Sequence, residues 1–144
     1  MIKKLPDQYI RKAVYNAINN IVVDGKTIKC YDYRVTGNSI PNYYTLMTTQ
    51  TNQVIKSNKC EYAWQSSVLI DIFTKYNGTG NTGSRLFADN ILEEVKNQTN
   101  NLVLDVASDL TIVWQTQSFP NDLVSLTKTE NVFRKFLRIE FYIN

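Results

Sequence analysis

Residues 62–76 read Tyr-Ala-Trp-Gln-Ser-Ser-Val-Leu-Ile-Asp-Ile-Phe-Thr-Lys-Tyr, and this stretch decides the fold. Its side chains alternate with the period of two that a half-buried strand shows. Such a strand buries one face and leaves the other partly solvated, which is typical of an antiparallel sheet. The buried face is predicted to carry Tyr62, Trp64, Ser66, Val68, Ile70, Ile72, Thr74 and Tyr76. The other face carries Gln65, Ser67, Asp71 and Lys75, with Leu69 and Phe73 among them.

The segments before this strand predict one helix and three more strands. Apolar residues recur at helical spacing from Ile10 to Ile21, with Asp7 as the expected N-cap after Pro6. Asp24-Gly25 predicts a hairpin turn between residues 21–23 and a strand over residues 27–35. Residues 43–50 are expected to form a further strand, and residues 51–59 a polar, mobile connection.

The segments after it predict a second helix and two late strands. The stripe of this helix is Phe87, Ile91, Leu92 and Val95, its cap is Thr82 or Ser84, and it ends within residues 97–101. Strands are expected over residues 110–116 and 133–143, separated by a turn cluster within residues 119–129. The order of elements predicts one α+β domain over residues 1–144, with a mostly antiparallel sheet and two helices packed on one face.

Composition narrows the classes of function. The 144 residues are 43% hydrophobic and 20% charged, which is typical of a globular domain of this size. Histidine is absent, which excludes Ser–His and Cys–His nucleophile pairs and His-ligated metal sites. A net charge of +3 is too small to indicate nucleic-acid binding by itself. Cys30 and Cys60 form no metal-binding motif, so they are interpreted as free thiols, with a disulfide left open.

One glycine motif suggests a cofactor. Residues 78–83 read Gly-Thr-Gly-Asn-Thr-Gly between a predicted strand and a predicted helix, and Asp105 follows 22 residues after Gly83. A dinucleotide site would use this loop for the pyrophosphate and the acid for the ribose. The preceding strand alternates, however, whereas a central parallel strand is apolar on both faces. We therefore expect a turn that starts a helix and no cofactor, and nucleotide binding through this loop remains the alternative function.

The acidic residues do not predict a catalytic pair or a metal site. Glu93-Glu94 fits a solvated helix face, and nothing in the sequence makes Asp105 and Asp109 converge on a cleft. Asp71 interrupts an apolar strand, and we expect it to pair with an Arg or Lys of a neighbouring strand. No catalytic residues are predicted, and the protein is not expected to be an enzyme.

The last strand carries Arg134, Lys135 and Arg138, and this basic stretch has three interpretations. Arg134 and Arg138 could face DNA phosphates, which would also suit a DNA-binding accessory protein. The charges could instead protect a sheet edge or form salt bridges between subunits.

The layout resembles a known family. The elements that carry the resemblance are residues 41–44 (Pro-Asn-Tyr-Tyr), residues 68–75, residues 88–95 and residues 136–141. The order of these elements resembles that of the tail-terminator, tail-completion or head–tail joining proteins of tailed bacteriophages. The resemblance extends from about Asp7 to Ile143. The chain departs from that family in its long connections at residues 51–59 and 97–108.

The resemblance implies a virion structural protein without catalytic residues, which forms a ring of six or twelve copies around the DNA passage. It implies other neck, portal or tail proteins as partners, DNA only as passing cargo and no membrane. It also implies a location in the virion after assembly in the host cytoplasm. Residues 51–59 and 119–129 are long and polar between strands, and they are expected to contact neighbouring subunits. The candidate interface residues are Asn52, Lys56, Asn58, Asn121, Asp122 and Lys128.

Overall fold

The computed structural model describes residues 4–37, 39–57, 62–77 and 83–144. These described residues form two α-helices, a short 3₁₀ turn at Val106–Ser108 and eight strands. The helices are α1 (Asp7–Ile18) and α2 (Leu86–Gln98). The strands are β1 (Ile21–Val23), β2 (Lys26–Ile28), β3 (Cys30–Asp32), β4 (Tyr43–Ser57), β5 (Tyr62–Asn77), β6 (Ile112–Ser118), β7 (Leu123–Leu126) and β8 (Glu130–Ile143).

The main sheet has six strands. Its order is β3-β4-β5-β8-β6, and β7 pairs with the first part of β8. All neighbours are antiparallel except β3 and β4, so the sheet is mixed. The expected antiparallel arrangement therefore holds for the long strands but not for β3, which is only three residues long.

One face of the sheet carries the core. Alternate residues of β5 and β8, including Ile70, Ile72, Ile139 and Phe141, are fully buried. Buried residues of both helices join the same cluster, so the two helices cover one face, as expected. Each buried aliphatic side chain of this kind contributes about 1.5–3 kcal/mol relative to an exposed one. The helix residues in the cluster are Ile10, Val14, Ile18, Ile91 and Val95.

The early hairpin is confirmed, but the strand after it is shorter than predicted. Asp24 and Gly25 have φ values of 51° and 76°, which suit a two-residue turn between β1 and β2. The strand expected over residues 27–35 is broken between β2 and β3 and ends at Asp32, before Tyr33 takes a positive φ of 67°. The second piece leaves the hairpin and joins the main sheet beside β4.

Two predicted connections contain strands. Residues 51–57 continue β4, so the prediction of a mobile connection there is wrong. Cross-strand pairing explains the difference: Thr51 Oγ1 and Ser67 Oγ lie 2.5 Å apart, and Ser66 donates a hydrogen bond of 2.7 Å to Asn52. The segment 119–129 likewise contains β7, which pairs with residues 131–134 of β8.

The helices are short. α1 has 12 residues and α2 has 13, and neither has the length and apolar character of a membrane-spanning helix.

Candidate assembly surface

The face of the main sheet opposite the helices is rich in aromatic side chains. Tyr44 and Phe73 stack across β4 and β5 with ring centres 4.6 Å apart. Tyr31 of β3 meets Tyr44 edge-on at 5.7 Å. These rings form cross-strand pairs, which is the ordinary way in which a sheet face is stabilised. We call this surface the open face.

A buried ion pair lies in the middle of the open face. Arg134 of β8 donates hydrogen bonds from Nε to both carboxylate oxygens of Asp71, at 3.2 and 3.4 Å, and a further one from its terminal nitrogen. Asp71 is 1% exposed, whereas the Arg134 side chain is 39% exposed. The expected partner of Asp71 on a neighbouring strand is thus confirmed.

The pair changes the ionisation of its surroundings. The hydrogen bonds that Arg134 donates to Asp71 raise the pKa of Arg134 above its ordinary value, against the opposing effect of burial. Burial, and then the charge of Asp71, raise the pKa of Tyr44. The guanidinium group of Arg134 also lies 5.6 Å from the ring centre of Phe136. Much of the charge of Arg134 is therefore engaged within the chain.

The basic residues of β8 do not form one basic face. Arg138 is exposed on the same face as Arg134, but Glu140 follows it two residues later. Lys135 points to the helix side, where its Nζ lies 2.6 Å from Asp89 and 3.0 Å from Asp122. Burial lowers the pKa of Lys135, but the hydrogen bonds to these two carboxylates outweigh it and leave the pKa raised. DNA contact by Arg134 and Arg138 stays a prediction.

The candidate interface residues fall into three groups. Asn52 and Lys56 lie on β4, not in a loop, and Asn58 lies outside the described residues. Asp122 accepts the hydrogen bond from Lys135 and lies 3.6 Å from Arg85, so it anchors its loop to the rest of the chain. Asn121 and Lys128 are exposed on either side of β7.

Three of the other acidic residues have partners within the chain. Glu93 pairs with Lys96, and Glu94 accepts a hydrogen bond from Gln98. Asp105 has a lowered pKa because it accepts the backbone N–H of Ala107 and pairs with Lys12 at 3.1 Å. Within the described ranges, no group of three or more His, Cys, Asp or Glu residues could hold a metal ion.

Cys30 is a buried free thiol on the helix side of β3. Burial raises its pKa to about 11. Cys60 lies outside the described residues.

The glycine motif is described only at its last residue. Gly83 has a φ of +78°, and a Cβ added there would overlap the ring of Tyr76. This glycine is therefore required by a left-handed backbone and by close packing. β5, which precedes the motif, lies between two antiparallel neighbours. The dinucleotide site considered as the alternative would lie instead at the end of a parallel strand.

Two long edges of the sheet were not anticipated from the sequence. β3 pairs only with residues 45–47 of β4, so residues 51–57 have β5 on one side and no described strand on the other. β6 is the last strand at the opposite edge. A possible signal in the sequence was Val54-Ile55, two strand-forming residues inside a polar stretch.

Comparison with known proteins finds a shared fold among solved structures. No family model matches the chain, and no curated protein matches it. Among solved structures, the chain is similar to a chain of the virion of a native gene transfer agent (GTA) particle, with a TM-score of 0.61. The match covers 94% of this chain and 96% of that chain at 14% sequence identity. At this identity the likeness shows a shared fold over nearly the whole length of both chains.

Proposed function

We propose that this protein is a structural component of a tailed phage or phage-like virion. In this proposal it forms a neck or tail ring around the DNA passage, as a tail terminator or head–tail connector component. The observation that carries the proposal is the fold shared with a GTA virion chain over 94% of the present chain. The order of its sequence elements, which resembles tail-terminator proteins, supports the finer assignment.

The proposed work of the protein is contact rather than catalysis. Its proposed partners are further copies of itself, in a ring of six or twelve, together with portal, neck or tail proteins. DNA would pass through the ring as cargo. The six-stranded sheet and its long polar edges suit a subunit that is held between neighbours.

Removal of the gene from the phage or phage-like element that carries it tests the proposal. Electron microscopy of the particles is expected to show heads and tails that fail to join, or tails of abnormal length. A copy supplied in trans is expected to restore complete particles that contain the protein. Complete particles of normal form, assembled without the protein, would contradict the proposal.

A further inference from the structure

We propose that neighbouring copies of this chain join by antiparallel pairing of β6 of one copy with the outer edge of β4 of the next. This inference rests on the proposed ring, for which it names the contact between subunits. A head-to-tail ring needs two different surfaces on opposite sides of each subunit. The two edges of the main sheet are such a pair of surfaces.

The two edges lie at the same level along the strand direction, as the pairing of residues across the sheet shows. Thr51 of β4 pairs with Ser67, Ser67 with Glu140, and Glu140 with Thr116 of β6. One step further, Gln53 is linked through Gln65 and Tyr142 to Trp114 in the same way. β3 and β7 pair with other parts of the sheet, beside residues 45–47 and 131–134. No strand among the described residues therefore covers residues 51–54 or 114–118 from outside.

The strand directions also fit. Three successive antiparallel pairings run from β4 through β5 and β8 to β6, so β4 and β6 are antiparallel to each other. In the proposed ring, the axis runs along the strands, and each copy is related to the next by rotation about it. This rotation leaves the strand directions unchanged. β6 of one copy therefore meets β4 of the next in the antiparallel sense, with side chains on the same two faces.

The composition of the edges favours pairing. Long exposed edges are usually protected by lysine, proline, bulges or short length. β3 and β7 are short, with three and four residues. A register shift interrupts β6 near Val113, and another interrupts β4 between Val54 and Lys56. Residues 114–118 of β6 and 51–54 of β4 keep a regular register. Those two segments read Trp-Gln-Thr-Gln-Ser and Thr-Asn-Gln-Val, without charge or proline.

Charges placed on both edges test the pairing. Thr51 and Thr116 are exposed and lie on the open face, so Thr51→Lys/Thr116→Lys puts like charges at every proposed contact. We expect native mass spectrometry to show assembly weakened by about tenfold or more, since like charges across an interface are costly. Thr51→Glu/Thr116→Lys is expected to assemble as the wild type does. Asn16→Lys, on the exposed side of α1, is the control for added charge.

The outcomes separate this inference from the proposed function. A ring that forms equally well in the double-lysine variant and in the wild type overturns the edge pairing but leaves the ring intact. A wild type that never self-associates overturns the pairing, whereas the gene-removal experiment judges the virion role independently.

A cross-linking experiment covers the case in which the double-lysine variant fails to fold. In a Cys60→Ser background, Thr51→Cys/Thr116→Cys is expected to give covalent oligomers that a reductant dissolves. Asn16→Cys/Thr116→Cys is the matched control and is expected to remain single chains. Equal cross-linking of both double variants, or of neither, would overturn the pairing.

Discussion

At the scale of single residues, the most consequential contact is the pair of Asp71 with Arg134. The pair matters for stability because its two members differ in burial: the carboxylate of Asp71 is fully buried, while the guanidinium group of Arg134 is partly solvated. Loss of the arginine would leave a buried charge with a hydrogen-bonding partner removed. The pair could be anticipated, since an acid inside an apolar strand needs a cation beside it. Which of the basic residues supplies that cation depends on strand order and register, which the sequence does not state.

Arg134→Ala is predicted to lower the free energy of unfolding by about 3 kcal/mol, near the low end for a buried ion pair because Arg134 is partly solvated. Arg138→Ala is the control on the same strand and face, and it is expected to change stability by less than about 0.5 kcal/mol. Urea unfolding monitored by tryptophan fluorescence measures both. Equal losses in the two variants would show that Arg134 does not stabilise Asp71.

Cys30 offers a second prediction at this scale. In a Cys60→Ser background, Cys30 is the remaining thiol, and its pKa of about 11 keeps it protonated at neutral pH. In the folded protein, Cys30 is therefore expected to react with a thiol reagent only as fast as local unfolding exposes it. In urea, the unfolded chain is expected to react at the rate of an exposed thiol. The folded state holds its proton to higher pH than the unfolded state, so stability should fall as pH rises from about 9 towards 11. Rapid modification of the native protein would contradict the burial of this thiol.

At the scale of elements, the turn before α2 has a structural reason for its last glycine. Gly83→Ala would place a methyl group in the ring of Tyr76 and force a left-handed alanine. The left-handed backbone costs an alanine about 1–2 kcal/mol, and overpacking adds about 1–3 kcal/mol. Gly25→Ala is the matched control, because Gly25 has φ +76° but open space around it.

Urea unfolding is expected to rank Gly83→Ala as clearly less stable than Gly25→Ala. Tyr76→Leu is expected to reduce the extra loss when it is combined with Gly83→Ala, since it removes the obstructing ring. If the two glycine variants lost the same stability, the close approach of Tyr76 would be disproved.

Most elements could be predicted because their patterns are local. Each of these patterns is typical of one conformation. The alternation of residues 62–76 is typical of a strand, the apolar stripes are typical of helices, and Asp-Gly is typical of a hairpin turn. Residues 51–57 could not be predicted in this way. Asn is depleted in strands, and polar and apolar residues do not alternate along this segment. The hydrogen bonds with Ser66 and Ser67 that hold it come from β5. The parallel pairing of β3 was equally hidden, because three residues carry no signal of direction.

At the scale of the whole molecule, the sheet serves both stability and proposed assembly. Its helix-covered face holds the core, and its open face is closed by aromatic pairs and the Asp71–Arg134 ion pair. The aromatic pairs and the ion pair are contacts that the open face makes within the chain. The edges differ, because Thr51–Val54 and Trp114–Ser118 carry backbone groups that a neighbouring strand could bind. The interface expected in loops is therefore proposed to lie largely on strands.

The copy number of the assembled protein tests the central proposal most directly. Native mass spectrometry of the purified chain, alone and mixed with the portal and tail proteins of the same particle, provides this number. We predict a closed ring of six or twelve copies, formed alone or on those partners. A chain that stays monomeric alone and joins neither partner would contradict the account.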